Sequence, residues 1–138
     1  MSKSITGGCL CGAVRYEVSA EPVTTRVCHC RDCQHATGSA FSSNVVVREE
    51  DFRVTQGEIK CFDVESDRGF TVSRFFCPEC GSPVYGRSVG FPGLFTVRAG
   101  GLDDPSGFEP EMMFYMSSAM PWLRVDENIP RFPKLPDA

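Results

Sequence analysis

The sequence contains no run approaching the roughly 20 apolar residues that a membrane-spanning helix needs, so no membrane association is expected. It also lacks a basic block. Lys and Arg together number 14 against 18 Asp and Glu, a net charge of −4, and without a positive face the electrostatic footprint of a nucleic-acid binder is missing. The opening residues MSKSITGGCLCG have no apolar h-region of the secretory kind, which predicts a cytoplasmic protein. Repeats, low-complexity tracts and linkers are absent too. At 138 residues, 41% hydrophobic and 23% charged, the chain suits one globular domain over residues 1–138 with a core of its own.

Long helical periodicity is also lacking. The 13 Gly and 10 Pro punctuate short apolar runs, the signature of β structure with many turns. Val14, Tyr16 and Val18 alternate with Arg15 and Glu17, and FSSNVVVR, DFRVTQ, EIKCFDV, FTVSRFF and GLFTVRAG continue the strand pattern. One short helix is expected, from about Arg31 to Thr37, with Gly38 just beyond its C-terminus. The tail MPWLRVDENIPRFPKLPDA predicts one turn near Pro121 and Trp122, then a Pro-rich surface segment.

What the chain does have is eight cysteines. A reducing compartment turns them away from disulfides and toward metal or redox chemistry. Seven fall into three knots: Cys9 and Cys11 as CxC, Cys28, Cys30 and Cys33 as CxCxxC, and Cys77 and Cys80 as CxxC. Disulfides between such close neighbours would be strained, whereas a tetrahedral zinc needs thiolates converging from tight turns. FCPECGSPVY, Phe76 to Tyr85, reads as a zinc knuckle, with Pro78 stiffening the turn and Gly81 admitting backbone amides close to sulfur. A CxxC pair is half a tetrahedron. The glycine-flanked GGCLCG pair is its natural complement, so Cys9, Cys11, Cys77 and Cys80 are assigned to one closed, structural zinc.

Three cysteines then remain for RVCHCRDCQHATGS. Three protein ligands and one vacant position are the pattern of a reactive zinc, although His29, His35 or Asp32 would close the site by supplying a fourth ligand. His29, between two cysteines, is expected to point away. Arg31 and Asp32, beside the trio, are candidates for tuning it by hydrogen bonds. Cys61, alone in a strand pattern, is expected to be a small buried hydrophobe. The 11 Phe and Trp122 are read as core and rim, and Met112, Met113 and Met116 as packing residues inside or beside the site. Arg15, Arg31, Arg48, Arg74 and Arg87 are read as solvated, with one or two able to anchor a carboxylate near the second zinc.

The ordered motifs GGCLCGAVRYEV, CHCRDCQHATGSAFSSNVVV, FFCPECGSPVYG and PWLRV resemble the glutathione-dependent formaldehyde-activating enzyme family, whose zinc-binding domain is shared with centromere protein V. The resemblance covers about residues 7–125. It implies a mainly β, Mss4-like antiparallel architecture with two zinc sites and few short helices. It also implies a structural zinc on Cys9, Cys11, Cys77 and Cys80, and a catalytic zinc on Cys28, Cys30 and Cys33. The implied activity is a carbon-sulfur lyase reaction, the reversible condensation of formaldehyde with glutathione to S-(hydroxymethyl)glutathione. The expected partners are therefore a small-molecule thiol, glutathione foremost, and a small aldehyde. A non-catalytic two-zinc module that binds a protein or other partner is the alternative. A methionine sulfoxide reductase would need a reactive cysteine outside the metal sites, and only Cys61 is left for it. Many members carry a histidine some residues before the PW pair, and Met113 stands at about that place here.

Overall fold

The computed structural model describes residues 4–136. Among these residues ten strands form two sheets. The smaller sheet joins β1 (Ile5–Gly8), β2 (Arg15–Val18) and β5 (Phe52–Gln56), all antiparallel, in the order β1-β2-β5. The larger runs β10-β3-β4-β9-β8-β7-β6, from β10 (Met112–Phe114), β3 (Thr24–Cys28), β4 (Ser42–Arg48), β9 (Leu94–Arg98), β8 (Pro83–Ser88) and β7 (Thr71–Phe76) to β6 (Lys60–Glu65). One pairing departs from the antiparallel expectation: β10 lies parallel to β3, with Phe114 opposite Cys28.

The core fills the space between the sheets. Val14, just before β2, and Tyr16 and Val18 within it meet Val45, Val47, Val84, Tyr85, Phe95 and Val97 from the large sheet. Phe52 bridges them, its ring 4.5 Å from that of Tyr85 and 5.4 Å from that of Tyr16. Because side chains alternate across a strand, Val45 and Val97 facing this core send Asn44 and Arg98 to the opposite face. β4 is buried on both faces from Ser42 through Val47, apart from the half-buried Ser43, so its apolar run reads as continuous. The second face of the large sheet is therefore also covered, and the candidate site lies there.

The one α-helix among the described residues, α1 (Arg31–Thr37), has the bounds that the sequence predicts. Gly38 adopts φ 69°, and its N–H donates to the Gln34 carbonyl at 2.8 Å, a left-handed cap that glycine supplies without strain. Thr6 and Arg15 converge on Asp103, Arg15 Nη1 at 2.9 Å from Oδ1. Arg15, with help from Thr6, holds the Asp103 carboxyl down at about 2, below the ordinary 3.8. A depressed folded-state pKa adds stability above the unfolded value and loses it as pH falls through the folded one. The melting-temperature gap between wild type and Asp103→Asn is thus expected to be widest above about pH 4 and to close toward about pH 2; a gap independent of pH would contradict this.

Among the described residues, no helix is long and apolar enough to cross a membrane. Cys61 corrects an expectation: it is exposed on β6, the edge of the large sheet, with Sγ 3.2 Å from Asp63 Oδ1. Trp122, read as core or rim, is exposed and so belongs to the rim.

Candidate functional site

Two sulfur clusters form, with the memberships that the spacing predicts. In the first, the ligand atoms of Cys9, Cys11, Cys77 and Cys80 all lie within 4.8 Å of one another. Two tight turns deliver them. In the turn between β1 and β2, the Cys9 N–H donates to the Val14 carbonyl and the Val14 N–H points at Cys9 Sγ, 3.2 Å away. In the turn between β7 and β8, the Gly81 N–H donates to the Cys77 carbonyl and the Glu79 N–H points at Cys77 Sγ at 3.3 Å. Ser82 ties the turns together, its Oγ accepting from the Leu10 N–H at 3.1 Å and lying 3.2 Å from Cys80 Sγ. The Cys9–Cys11 and Cys11–Cys77 sulfurs are 3.6 and 3.8 Å apart, not bonded to one another. Four thiolates placed tetrahedrally about 2.3 Å from a metal have edges of roughly 3.8 Å, so this donor set fits one.

The second cluster is Cys28, Cys30 and Cys33, again within 4.8 Å of one another. Cys28 ends β3, Cys30 caps α1 by accepting from the Cys33 N–H at 3.3 Å, and Cys33 lies in the first helical turn. Among the described residues, no His, Asp or Glu joins either group. His29 is fully buried and turned elsewhere: Nδ1 donates to the Phe114 carbonyl at 3.1 Å, and its ring lies 5.6 Å from that of Phe41. His35 sits beside Arg31, its Nε2 3.3 Å from Arg31 Nη2. Asp32 is exposed, and it and Arg31 line the pocket described next.

Over the trio opens a pocket of about 460 Å³, lined by Cys28, Cys30 and Cys33. The second face of the large sheet forms its floor, and the turn between β6 and β7 and the tail near Lys134 add to its walls. Tyr115 joins those walls. It is the only non-glycine residue with positive φ among those described, at 58°, and its hydroxyl donates to Asp67 Oδ1 at 2.6 Å. Lys134 Nζ lies 3.8 Å from the same carboxylate.

The electrostatics set the clusters apart. In the trio, contact with Cys28 and then Cys30 pulls the buried Cys33 thiol far below its ordinary range; burial opposes this and Arg98 adds to it. Cys28 moves up in response, through Cys30, Cys33 and burial. Three crowded sulfurs thus share charge as one unit, with a cation beside them. In the first cluster the Ser82 hydroxyl leads in lowering Cys80 to about 5. For Cys11 the Ala13 backbone lowers the pKa, but the neighbouring sulfurs, Cys9 foremost, push it up to about 12.

Several pocket residues carry no motif. Arg26 and Arg98 line it alongside Arg74, whose Nη1 is 4.0 Å from Cys33 Sγ; Arg31, Arg74 and Arg87, expected in solvent, line it as well. Gln34 is buried and donates from Nε2 to the carbonyls of His29 and Ser118 at 2.8 and 3.0 Å, holding α1 to the segment before PW. Met113 is buried opposite Val27, on the side of β10 away from Phe114 and Cys28, and does not line the pocket. A methionine at the histidine place therefore packs rather than faces the trio.

A family model described as "Glutathione-dependent formaldehyde-activating enzyme" matches residues 4–118. A Penicillium rubens protein bearing that family's name is 31% identical over 125 residues, covering 85% of this chain but only 64% of its own length. A Halomonas elongata protein of the same name is 27% identical over 130 residues, 90% of this chain and 82% of its own. A solved Rhodobacter sphaeroides structure superposes with a TM-score of 0.59 at 25% identity, over 76% of this chain and 91% of that one. Matched by the model across both sulfur clusters and the pocket floor, the chain belongs to the glutathione-dependent formaldehyde-activating enzyme family.

Proposed function

We propose that the chain is a zinc-dependent carbon-sulfur lyase that condenses a thiol, glutathione foremost, with formaldehyde or another small aldehyde, and cleaves the adduct in reverse. One observation carries this reading: all three sulfur residues of the trio line a 460 Å³ pocket, whereas of the four-sulfur cluster, tied between two turns, Cys9 alone lines the neighbouring pocket of about 430 Å³. The names of the relatives supply the substrates. Cys9, Cys11, Cys77 and Cys80 would hold a structural zinc, and Cys28, Cys30 and Cys33 a second, reactive one. The all-sulfur donor sets fit zinc. Held by Cys28, Cys30 and Cys33, a zinc would supply Lewis acidity and favour the thiolate form of a bound thiol.

The chain's own residues then orient the reactants. In the condensation the thiol loses its proton, the sulfur bonds to the aldehyde carbon and the aldehyde oxygen ends as a hydroxyl; cleavage reverses each change. Arg74 and Arg98, next to Cys33, stabilise negative charge on sulfur there. Burial, then Asp67, pushes the Tyr115 hydroxyl up, so at neutral pH it is a donor, held on Asp67 and bracing the pocket wall. Tyr115→Phe is expected to raise KM for the thiol roughly two- to tenfold, as loss of one hydrogen bond does, with kcat within about twofold. A fall in kcat at unchanged KM would instead put the hydroxyl in the chemistry.

Exchange NMR on formaldehyde and glutathione tests the function. Zinc-loaded protein is expected to accelerate interconversion with S-(hydroxymethyl)glutathione, and chelator-stripped protein is not. A folded, zinc-loaded protein without acceleration would exclude this substrate pair.

A further inference from the structure

His29 stands between two cysteines of the trio and is fully buried. Three of its polar groups are held. Its backbone N–H donates to the Phe114 carbonyl at 3.0 Å, and its ring Nδ1 donates to the same oxygen at 3.1 Å. Its own carbonyl accepts from Gln34 Nε2 at 2.8 Å, and that nitrogen also donates to the Ser118 carbonyl at 3.0 Å. The link between β3 and α1 is thus pinned at both Phe114 and Ser118, on one segment of the chain.

The remaining polar group is left over. With the proton on Nδ1, Nε2 is a bare acceptor, and among the described residues it is buried without a hydrogen-bond partner. An unmet buried acceptor costs its desolvation. A leucine or phenylalanine filling the same space beside Phe41 would carry no such cost, so packing alone does not account for a histidine here. What the ring adds over an apolar side chain is the Nδ1 bond to Phe114.

The place of that bond decides what it does. Cys28 is the last residue of β3 and pairs with Phe114, after which the chain turns left-handed at Tyr115. Cys30 is the N-cap of α1. Between them the strand has ended and the helix has not begun, yet their two sulfurs must converge on one point to share a metal. Backbone N–H and ring N–H meeting at a single oxygen lock both the backbone and the side-chain torsions of His29. The Cα–Cβ directions of Cys28 and Cys30, its immediate neighbours, are fixed with it.

We infer that His29 is a positioning residue: without being a ligand, its Nδ1–H bond to the Phe114 carbonyl sets the relative placement of the Cys28 and Cys30 sulfurs and so the metal affinity of the trio. The inference rests on the trio's holding a metal, as proposed above, and not on the reaction carried out there.

Zinc competition against a chromophoric chelator, with cobalt(II) as a spectroscopic probe, tests this on the full chain. An asparagine amide reaches the place of Nδ1, whereas a glutamine amide reaches that of Nε2. His29→Asn is therefore expected to keep second-site zinc affinity within about threefold of wild type, while His29→Gln and His29→Leu lower it about ten- to a hundredfold, the usual cost of losing a group that orients a ligand. The visible cobalt bands of the trio are expected to shift in His29→Gln and His29→Leu but not in His29→Asn, and every variant is expected to keep the zinc of the four-cysteine cluster. Where His29→Leu does not fold, the comparison of His29→Asn with His29→Gln decides alone. Unchanged affinity in all variants, equal loss in His29→Asn and His29→Gln, or a wild type that takes up a single zinc would each overturn the inference. A wild type that binds two zinc ions and shows the expected difference between His29→Asn and His29→Gln, but does not accelerate formaldehyde exchange, would sink the proposed activity and leave the positioning role standing.

Discussion

Cys77→Ala is expected to leave a chain with no cooperative thermal transition. Cys77 is fully buried in the core cluster with Val84, Tyr85 and Val97, and its sulfur meets Cys11 Sγ at 3.8 Å from a turn distant in sequence. The four-sulfur cluster thus joins the small sheet, through the loop after β1, to the large sheet, through the turn between β7 and β8. Structural zinc contributes about 10–16 kcal/mol of apparent folding energy in small metal domains, whereas whole domains are stable by about 5–15 kcal/mol. Cys77→Ala removes one ligand of the four that tie the two turns together, and the cavity left in the core adds its own cost. Circular dichroism and a melt by differential scanning check this, with Cys61→Ala as the control. The exposed Cys61 lacks such a role, so its variant is expected within about 0.5 kcal/mol of wild type. A Cys77→Ala protein that melts cooperatively within a few degrees of wild type would show that the fold does not depend on this cluster.

The two clusters could be read from the sequence because neighbouring ligands are two or three residues apart, a spacing that one tight turn turns into convergence. Helix α1 was legible for a similar local reason: Cys30 and Gly38 mark its two ends. The strands that lack alternation were harder. β10 is only three residues long, and its parallel partner β3 lies more than 80 residues earlier in the chain; no local pattern announces such a pairing. The pocket's sheet arginines were hidden for another reason. Arg26, Arg74 and Arg98 alternate with apolar neighbours just as residues on a solvated face do, and whether that face is covered depends on the tail and on α1. Cys61 misled in the opposite way. A strand pattern suggests burial, but β6 is the sheet's edge, and edge position is a property of topology rather than of the strand's own residues.

Cys30→Ser is expected to separate chemistry from folding. The serine hydroxyl keeps the helix cap, since it can accept the Cys33 N–H as Cys30 Sγ does at 3.3 Å, and serine is among the favoured residues at that position. Cys30 is only half-buried, and the four-sulfur cluster is untouched. The melting temperature is therefore expected within a few degrees of wild type. Turnover is expected to fall at least about a hundredfold, because even the outer partners of metal ligands cost ten- to a hundredfold when removed. Zinc content is expected to drop from two per chain toward one. Acceleration of formaldehyde and glutathione exchange, zinc content and the melt, measured on the same sample, check all three. A variant that loses its fold along with its second zinc would make the trio a structural centre like the first, and the pocket beside it a docking site for a partner rather than a place of reaction.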